Sequence, residues 1–306
     1  MSHQPKWLDM LTTNNARRIS TIFVFIGISL LPAPASRATD PPSFQGQLLY
    51  SRLTNGTWQI WRKDLATGER TQITSSPGDK RYPAWSREED TLYQTSNQAC
   101  YRVGKKSRSE EPFLADLWPI RDLALSPDGT KLAFSKLRND LVDSADLWVA
   151  DASGAKRRMI TQEPGLQSHS AWSSDGARIA YVHSQGYKSA EICSINADGT
   201  GRARLTNNQA RDLLPAWSPD GEWIAFSSDA SGDSEIWVMQ ADGKEPKQLT
   251  HSPGLDSRPA WSPDGEWIAF ATNRSGTLEI WVMRKDGTSQ QLLEQVEGGA
   301  CDPAWR

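Results

Sequence analysis

Cysteine is scarce in this chain: Cys100, Cys193 and Cys301 are the three among 306 residues, widely spaced and odd in number. At most one pair can form, which excludes a disulfide-stapled scaffold. No Cys-x-x-Cys or Cys/His spacing is present to hold a structural zinc. Histidine is nearly as rare, with four. No Gly-x-Ser-x-Gly stretch occurs, so the nucleophile elbow of an α/β-hydrolase is missing. The net charge of −3 withholds the basic stripe that nucleic-acid binding needs. Tryptophan, by contrast, is abundant at fourteen, and its placement is periodic.

The first forty residues differ from the rest. Arg17 and Arg18 precede the thirteen-residue run ISTIFVFIGISLL, which ends at Leu31 and is followed by small residues at Ala33 and Ala35. A basic start, an apolar core and small residues fit a secretory signal peptide spanning 1–38, cleaved near 35–38. A retained anchor is the rival, but the run falls short of the ~20 residues a membrane span requires. No cysteine follows the apolar core, which argues against a lipid-modified N-terminus. The expected location is periplasmic or extracellular, with a short linker at 39–45 before the main domain at 46–306.

That domain is a repeat. Trp172, Trp217, Trp261 and Trp305 are separated by 45, 44 and 44 residues; earlier equivalents are Trp85 and Leu125. After each anchor but the last come a turn (SPDG at Ser126, Ser218 and Ser262, SSDG at Ser173) and an apolar run such as WIAF. The unit from Trp85 has SREED at the turn position. A second run such as EIWVM follows, then in most units a Gly turn leading to QLT, RLT or MIT. Runs of four to six residues rich in Ile, Val, Trp and Phe between turn residues are strands. In Ser-Pro-Asp-Gly, Pro presets the backbone of a type I turn and Gly accepts the left-handed conformation that re-enters the hairpin. Each unit therefore reads as a four-stranded antiparallel sheet, strands a to d.

WIAF and EIWVM are apolar on both faces, so both sides of each sheet must be covered. PKQLT, at strand d, is more polar and suits an outer edge. Four-stranded units of about 44 residues with that gradient predict an all-β, six-bladed β-propeller. Five complete units begin at the anchors 85, 125, 172, 217 and 261. Residues 46–74 match strands b to d without an anchor, and Pro303-Ala304-Trp305 is a strand a with nothing after it. Joining the two gives the sixth blade and closes the ring with no open edge.

The pattern PAWSPDGEWIAF…EIWVM…DG…QLT resembles the TolB-type β-propeller repeat, a distant relative of WD40, over 46–306. The resemblance implies a six-bladed periplasmic propeller that binds protein partners of the cell envelope. The TolB family carries an α/β domain ahead of its propeller, for which the residues before 46 leave no room. Prolyl-oligopeptidase-type propellers work beside an α/β-hydrolase domain with Gly-x-Ser-x-Gly, a motif that does not occur in this sequence. Oligogalacturonate lyases, another similar family, use clustered histidines to hold a metal. His169, His183 and His251 fall on separate blades, and no nucleophile–base–orienter set can be named among them.

Propellers bind ligands where the d-to-a loops open. In or beside these loops lie Asp79, Arg81, Asp122, His169, Asp212, Asp256, Arg258 and Asp302, three to six residues before an anchor position. One reading is a polar ring that recognises a peptide or holds a Ca-type cation through oxygen ligands. The other is that the aspartates cap turns and bond backbone. The long b–c stretch KLRNDLVDSAD, starting at Lys136, is a second candidate patch on the same face. The overall expectation is an exported, monomeric, non-catalytic module for an envelope protein or peptide, without nucleic acid and without a resident cofactor. The alternative is a carbohydrate-active or peptide-cleaving enzyme using the His/Asp mouth.

Overall fold

The computed structural model describes residues 44–306 apart from 87–90, 96–97, 105–107, 118, 139–140 and 187–188. The expected signal peptide and most of the linker lie outside the described residues. Within them the protein is an all-β propeller of four-stranded antiparallel blades, with one 3-10 turn at Ala115–Leu117 and no α-helix.

Strands β1 (Gln47–Thr54), β2 (Thr57–Asp64) and β3 (Arg70–Gln72) form one sheet whose first strand is β24 (Ala300–Trp305). Leu48 stands opposite Trp305 and Leu49 opposite Ala304. The backbone N–H of Gln47 donates to the Arg306 carbonyl at 2.7 Å, and that of Arg306 to the Gln47 carbonyl at 2.9 Å. The pairing of 46–74 with the far end of the chain is thus present as the repeat arithmetic predicts.

The next sheet runs β4 (Lys80–Trp85), β5 (Thr91–Thr95), β6 (Cys100–Val103) and β7 (Glu110–Phe113). Two further four-stranded sheets are β16 (Asp212–Trp217), β17 (Trp223–Ser228), β18 (Glu235–Gln240), β19 (Lys247–Gln248), and β20 (Asp256–Trp261), β21 (Trp267–Thr272), β22 (Glu279–Arg284), β23 (Gln291–Glu294).

The repeat count predicts two more separate sheets, and here the structure differs. Strands β8 (Ile120–Leu125), β9 (Lys131–Arg138), β10 (Leu141–Asp151) and β11 (Arg158–Met159) share one eight-stranded sheet with β12 (Leu166–Trp172), β13 (Arg178–Ser184), β14 (Ala190–Asn196) and β15 (Ala203–Arg204). The junction is a single parallel pairing of Ala145 with Leu166. Its cause is the stretch expected to be a loop from Lys136: β9 and β10 extend into it as a hairpin, and β10 then reaches β12. Arg138 grips Asp146 and the Glu163 carbonyl (2.6 Å), tying that extension to the loop ahead of β12.

The turns follow their sequence. In the four Ser-Pro/Ser-Asp-Gly turns the serine hydroxyl donates to the aspartate and accepts the backbone N–H five residues after the serine, at 2.9 Å each time. Gly129, Gly176, Gly221 and Gly265 sit at φ 66–74°, which side chains disfavour.

The core lies between sheets. Ile192 and Val182 pack with Trp217 and Phe226; Ile236 and Val238 with Trp261 and Phe270; Leu147 and Val149 with Trp172 and Tyr181. Cys100 and Leu114 meet Leu132 and Phe134. At the chain ends, Leu48 and Tyr50 pack with Ala269 and Ile280, and Leu49 and Ile60 with Tyr93 and Val103. Innermost strands β4, β8, β12, β16, β20 and β24 each touch the next in that order, and β24 touches β4. Three anchor tryptophans donate their indole N–H to the neighbouring inner strand: Trp172 to Ala124, Trp261 to Ala216 and Trp85 to Ala304, at 3.0–3.1 Å. The three cysteines are buried free thiols.

Trp305 is half-buried, bonded to the Gln45 carbonyl at 3.0 Å and met edge-on by Phe44. The residue before it in the seam matters as much: Ala304 supplies the acceptor for Trp85. Deleting residues 301–306 bares the inner edge of β1 and removes that acceptor. The expected cost is about 3–5 kcal/mol, a fall in Tm of about 6–20 °C in thermal melts; an unchanged Tm contradicts the seam.

Candidate binding face

Every inner strand carries the same irregularity. Pairing with the second strand slips between Arg81 and Ala84, Ile120 and Leu123, Ser168 and Ala171, Leu213 and Ala216, and Ser257 and Ala260. Opposite β1 the slip falls between Cys301 and Ala304. Such a β-bulge re-aims the side chains on either side of it. Tyr82, His169, Leu214, Arg258 and Asp302, each three residues before an anchor, have φ of 53–59°. In four of these five the following residue is proline (Pro83, Pro215, Pro259, Pro303), which brings no N–H to leave unpaired at the slip.

Three inner strands bring their bulges together. Asp302 accepts from Arg81 Nε at 2.6 Å, Arg258 Nε at 2.9 Å and Ser51 Oγ at 2.7 Å. Its side chain is 3% exposed, while those of Arg81 and Arg258 are 22% and 20% exposed. Burial works to raise the Asp302 carboxyl, but Arg258 and Arg81 outweigh it and hold it well below the usual carboxylate range. Two guanidiniums on one carboxylate leave a net positive cluster.

Aromatic rings interleave with those cations. Arg81 lies over the Trp58 ring at 4.6 Å and Arg258 over the Tyr82 ring at 4.6 Å. Tyr82 is 41% exposed, one of three large hydrophobic residues that reach so far into solvent among the described residues. A second, Leu255, stands in the loop ahead of β20. Trp58 comes from the β1–β2 hairpin end, so b–c and d–a loops contribute to one face. Asp79 is spent locally: its Oδ1 accepts the Trp58 backbone N–H at 2.9 Å.

Asp122 and His169 lie on adjacent inner strands. Asp122 Oδ2 accepts from the backbone N–H and hydroxyl of Ser170 at 2.6 and 3.1 Å, while its Oδ1 is buried and finds no donor among the described residues. His169 Nδ1 is 3.1 Å from Ser168 Oγ. Burial, opposed by Asp122 and reinforced by Arg258 and Arg121, brings His169 down to about 4, so it is neutral at physiological pH.

Asp212 and Asp256 do not join this group. Both are fully buried and face the junctions between sheets. Asp212 accepts from Ser228 Oγ at 2.5 Å and Asn208 Nδ2 at 2.8 Å; Asp256 accepts from Arg274 Nη2 at 2.8 Å and Ser252 Oγ at 2.9 Å. Alternation along a regular strand puts them on the same side as Leu214 and Arg258, two residues on. The bulge breaks that alternation. His183 is engaged on both ring nitrogens, by the Pro164 carbonyl (3.0 Å) and Arg202 Nη2 (2.9 Å), and His251 lies exposed in a loop. Tyr82 and Trp58 lie outside the polar set that the sequence points to; aligning the anchors and reading three residues back points to Tyr82.

Chemically, the face offers a cationic and aromatic recognition surface. Among the described residues no group of three or more His, Cys, Asp or Glu is placed to hold a metal ion. The Asp302 carboxylate is already engaged by two guanidiniums, and the hydroxyl bonded to His169 is that of Ser168.

Comparison with known proteins agrees with this architecture. The profile of the TolB beta propeller domain matches residues 107–239 and 146–306. The Tol-Pal system protein TolB of Anaeromyxobacter dehalogenans (strain 2CP-1 / ATCC BAA-258) is 29% identical over 140 residues, 44% of this chain and 31% of that protein. The chain therefore matches about a third of the length of that curated relative. The crystal structure of TolB from Acinetobacter baumannii superposes with a TM-score of 0.74 at 21% identity, covering 87% of this chain and 67% of that one. An oligogalacturonate lyase in complex with manganese gives 0.59 at 19% identity over 81% of this chain and 73% of that one. At such identities the structures share the fold and nothing further is carried over.

Replacing Asp302 by asparagine leaves Arg81 and Arg258 partly buried without their counter-ion, at a cost of about 3 kcal/mol. Because the folded carboxyl is held low, this contribution is present above the ordinary aspartate range and is lost as pH falls through the folded value. Melts from pH 7 down to pH 2 therefore show a large Asp302→Asn deficit at neutrality that shrinks in acid. A deficit independent of pH rules the ion cluster out as its source.

Proposed function

The chain belongs to the TolB beta-propeller family, and from that premise we propose that it is an exported, non-catalytic protein-interaction module of the cell envelope. Its six blades form a ring. The eight-stranded sheet counts as two of them, bridged by one residue pair, and β24 with β1–β3 closes the circle. The cyclic order of touching inner strands and the apolar clusters between successive sheets support that count. The protein acts as a monomer in the periplasm or outside the cell, and its partner is an envelope protein or a peptide segment of one.

The observation that carries the interaction role is the cluster of Trp58, Arg81, Tyr82, Arg258 and Asp302, drawn from both ends of the sequence to one face. Buried ion pairing fixes the two arginines, so their stacked rings present a rigid surface at low entropic cost. Exposed Tyr, Trp and Arg are the residue types that dominate binding energy at protein interfaces. Asp122 and His169 extend the same ring with an acceptor and a neutral imidazole, and Asp79 positions Trp58. The same face offers no constellation for acid–base or nucleophilic chemistry.

The test separates binding from folding. The full chain, immobilised, is expected to retain an envelope protein from cell-envelope extracts. Tyr82→Ser should weaken that retention at least tenfold with Tm changed by less than about 2 °C, since Tyr82 is 41% exposed and lies outside the apolar clusters between sheets. Retention unaffected by Tyr82→Ser moves the interface elsewhere. Turnover of an envelope polysaccharide or peptide that disappears in His169→Ala overturns the non-catalytic reading.

A further inference from the structure

The junction between β18 and β20 holds two acids out of water. Asp256 is 0% exposed and Glu235 4% exposed. The chains are close there: the Asp256 backbone N–H donates to the Ser234 carbonyl at 2.7 Å, and Ser234 Oγ donates to the Asp256 carbonyl at 3.0 Å. Glu235 Oε2 accepts from Thr250 Oγ1 at 2.5 Å. Asp256 Oδ2 is taken by Arg274 and Ser252, but its Oδ1 is buried and finds no donor among the described residues. The Glu235 carboxyl is within hydrogen-bonding reach of Asp256.

An orphaned buried carboxylate oxygen is costly, and two carboxylates cannot bond each other without a proton. One proton on Glu235 supplies the missing donor. It also brings the cluster of two carboxyls and one guanidinium to neutrality. We infer that Glu235 and Asp256 share a proton that latches the loop 251–255 across the β18–β20 junction, and that the latch opens when this proton leaves.

The preceding junction shows what differs. There Glu191 accepts from Arg204 Nη2 at 2.6 Å, Thr206 Oγ1 at 2.7 Å and the Asn208 backbone at 3.1 Å. Gln248 occupies the place of Arg204, so Glu235 has no cation of its own. The other groups facing the pair are few. The loop brings Thr250, Ser252 and an exposed His251; the sheet β20–β23 brings Arg274; Asp233 ahead of β18 is exposed; and Glu279 on β22 is turned to Gln295 and Trp281. Burial first, and then the neighbouring Asp256, push the Glu235 carboxyl up to about 7. A raised acid stabilises the fold below its unfolded range and loses that contribution as pH rises through the folded value. The window therefore runs from about pH 4.5 to about pH 7.

Carbon-13 NMR of the full chain, labelled at glutamate carboxyls, reads the proton directly. One resonance is expected to titrate near pH 7 and to vanish in Glu235→Gln, which keeps a donor for Asp256. Amides of 251–256 in the wild type should lose protection between pH 6 and 8 beyond the intrinsic rise in exchange, whereas in Glu235→Gln they should not. If Glu235→Gln does not fold, the wild-type titration decides alone. The absence of any glutamate titrating above pH 5.5, or survival of the neutral titration in Glu235→Gln, overturns the latch.

Discussion

Strands such as Trp223–Ser228 and Trp267–Thr272 bury side chains on both faces, with Ile224, Ala225, Ile268, Ala269 and Phe270 all at 0% exposure. A sheet of this kind needs a neighbour on each side, and an open row of sheets leaves two apolar faces bare. A ring leaves none. Most other features follow from that constraint. Tryptophan anchors sit where successive inner strands approach, and at Trp85, Trp172 and Trp261 the indole N–H reaches a carbonyl of the neighbouring inner strand, whereas the Trp217 indole N–H is buried without a partner among the described residues. The bond from Trp85 to Ala304 repeats across the chain ends what Trp172 and Trp261 do within the chain.

The polar groups of the junctions vary while the apolar packing repeats. Glu191 has Arg204, Glu235 has a shared proton, and at the next junction Glu294 is held by Lys63, Arg70 and Tyr50 from the sheet at the chain ends. Burial works to raise Glu294, but Arg70 and Lys63 prevail and keep it ionised. The seam is thus tied by charge as well as by strand pairing. A buried pair of this kind is weak as a net source of stability but costly to break.

The repeat is legible because each blade must solve the same packing problem with the same turn and the same apolar runs. Strand order, the four Ser-Pro/Ser-Asp-Gly turns and the pairing of 46–74 with Pro303-Ala304-Trp305 all follow from it. Two features do not. The extension of β10 to β12 depends on one residue pair, Ala145 with Leu166, which no periodicity marks. The placement of polar residues ahead of each anchor depends on the bulge, so Asp256 and Arg258, two residues apart, part company. One enters a junction and the other reaches the mouth. Counting by twos assumes an unbroken strand, and the slip at Pro259 breaks it.

The central claim is that the two ends of the chain complete one sheet of a closed ring. Amide hydrogen exchange of β1 (Gln47–Thr54) against β17 (Trp223–Ser228) tests it most directly, since β1 has its inner partner only if β24 is in place. The account predicts that the β1 amides facing β24 exchange as slowly as the β17 amides facing β16. Exchange there at near-random-coil rates, with β17 still protected, contradicts it.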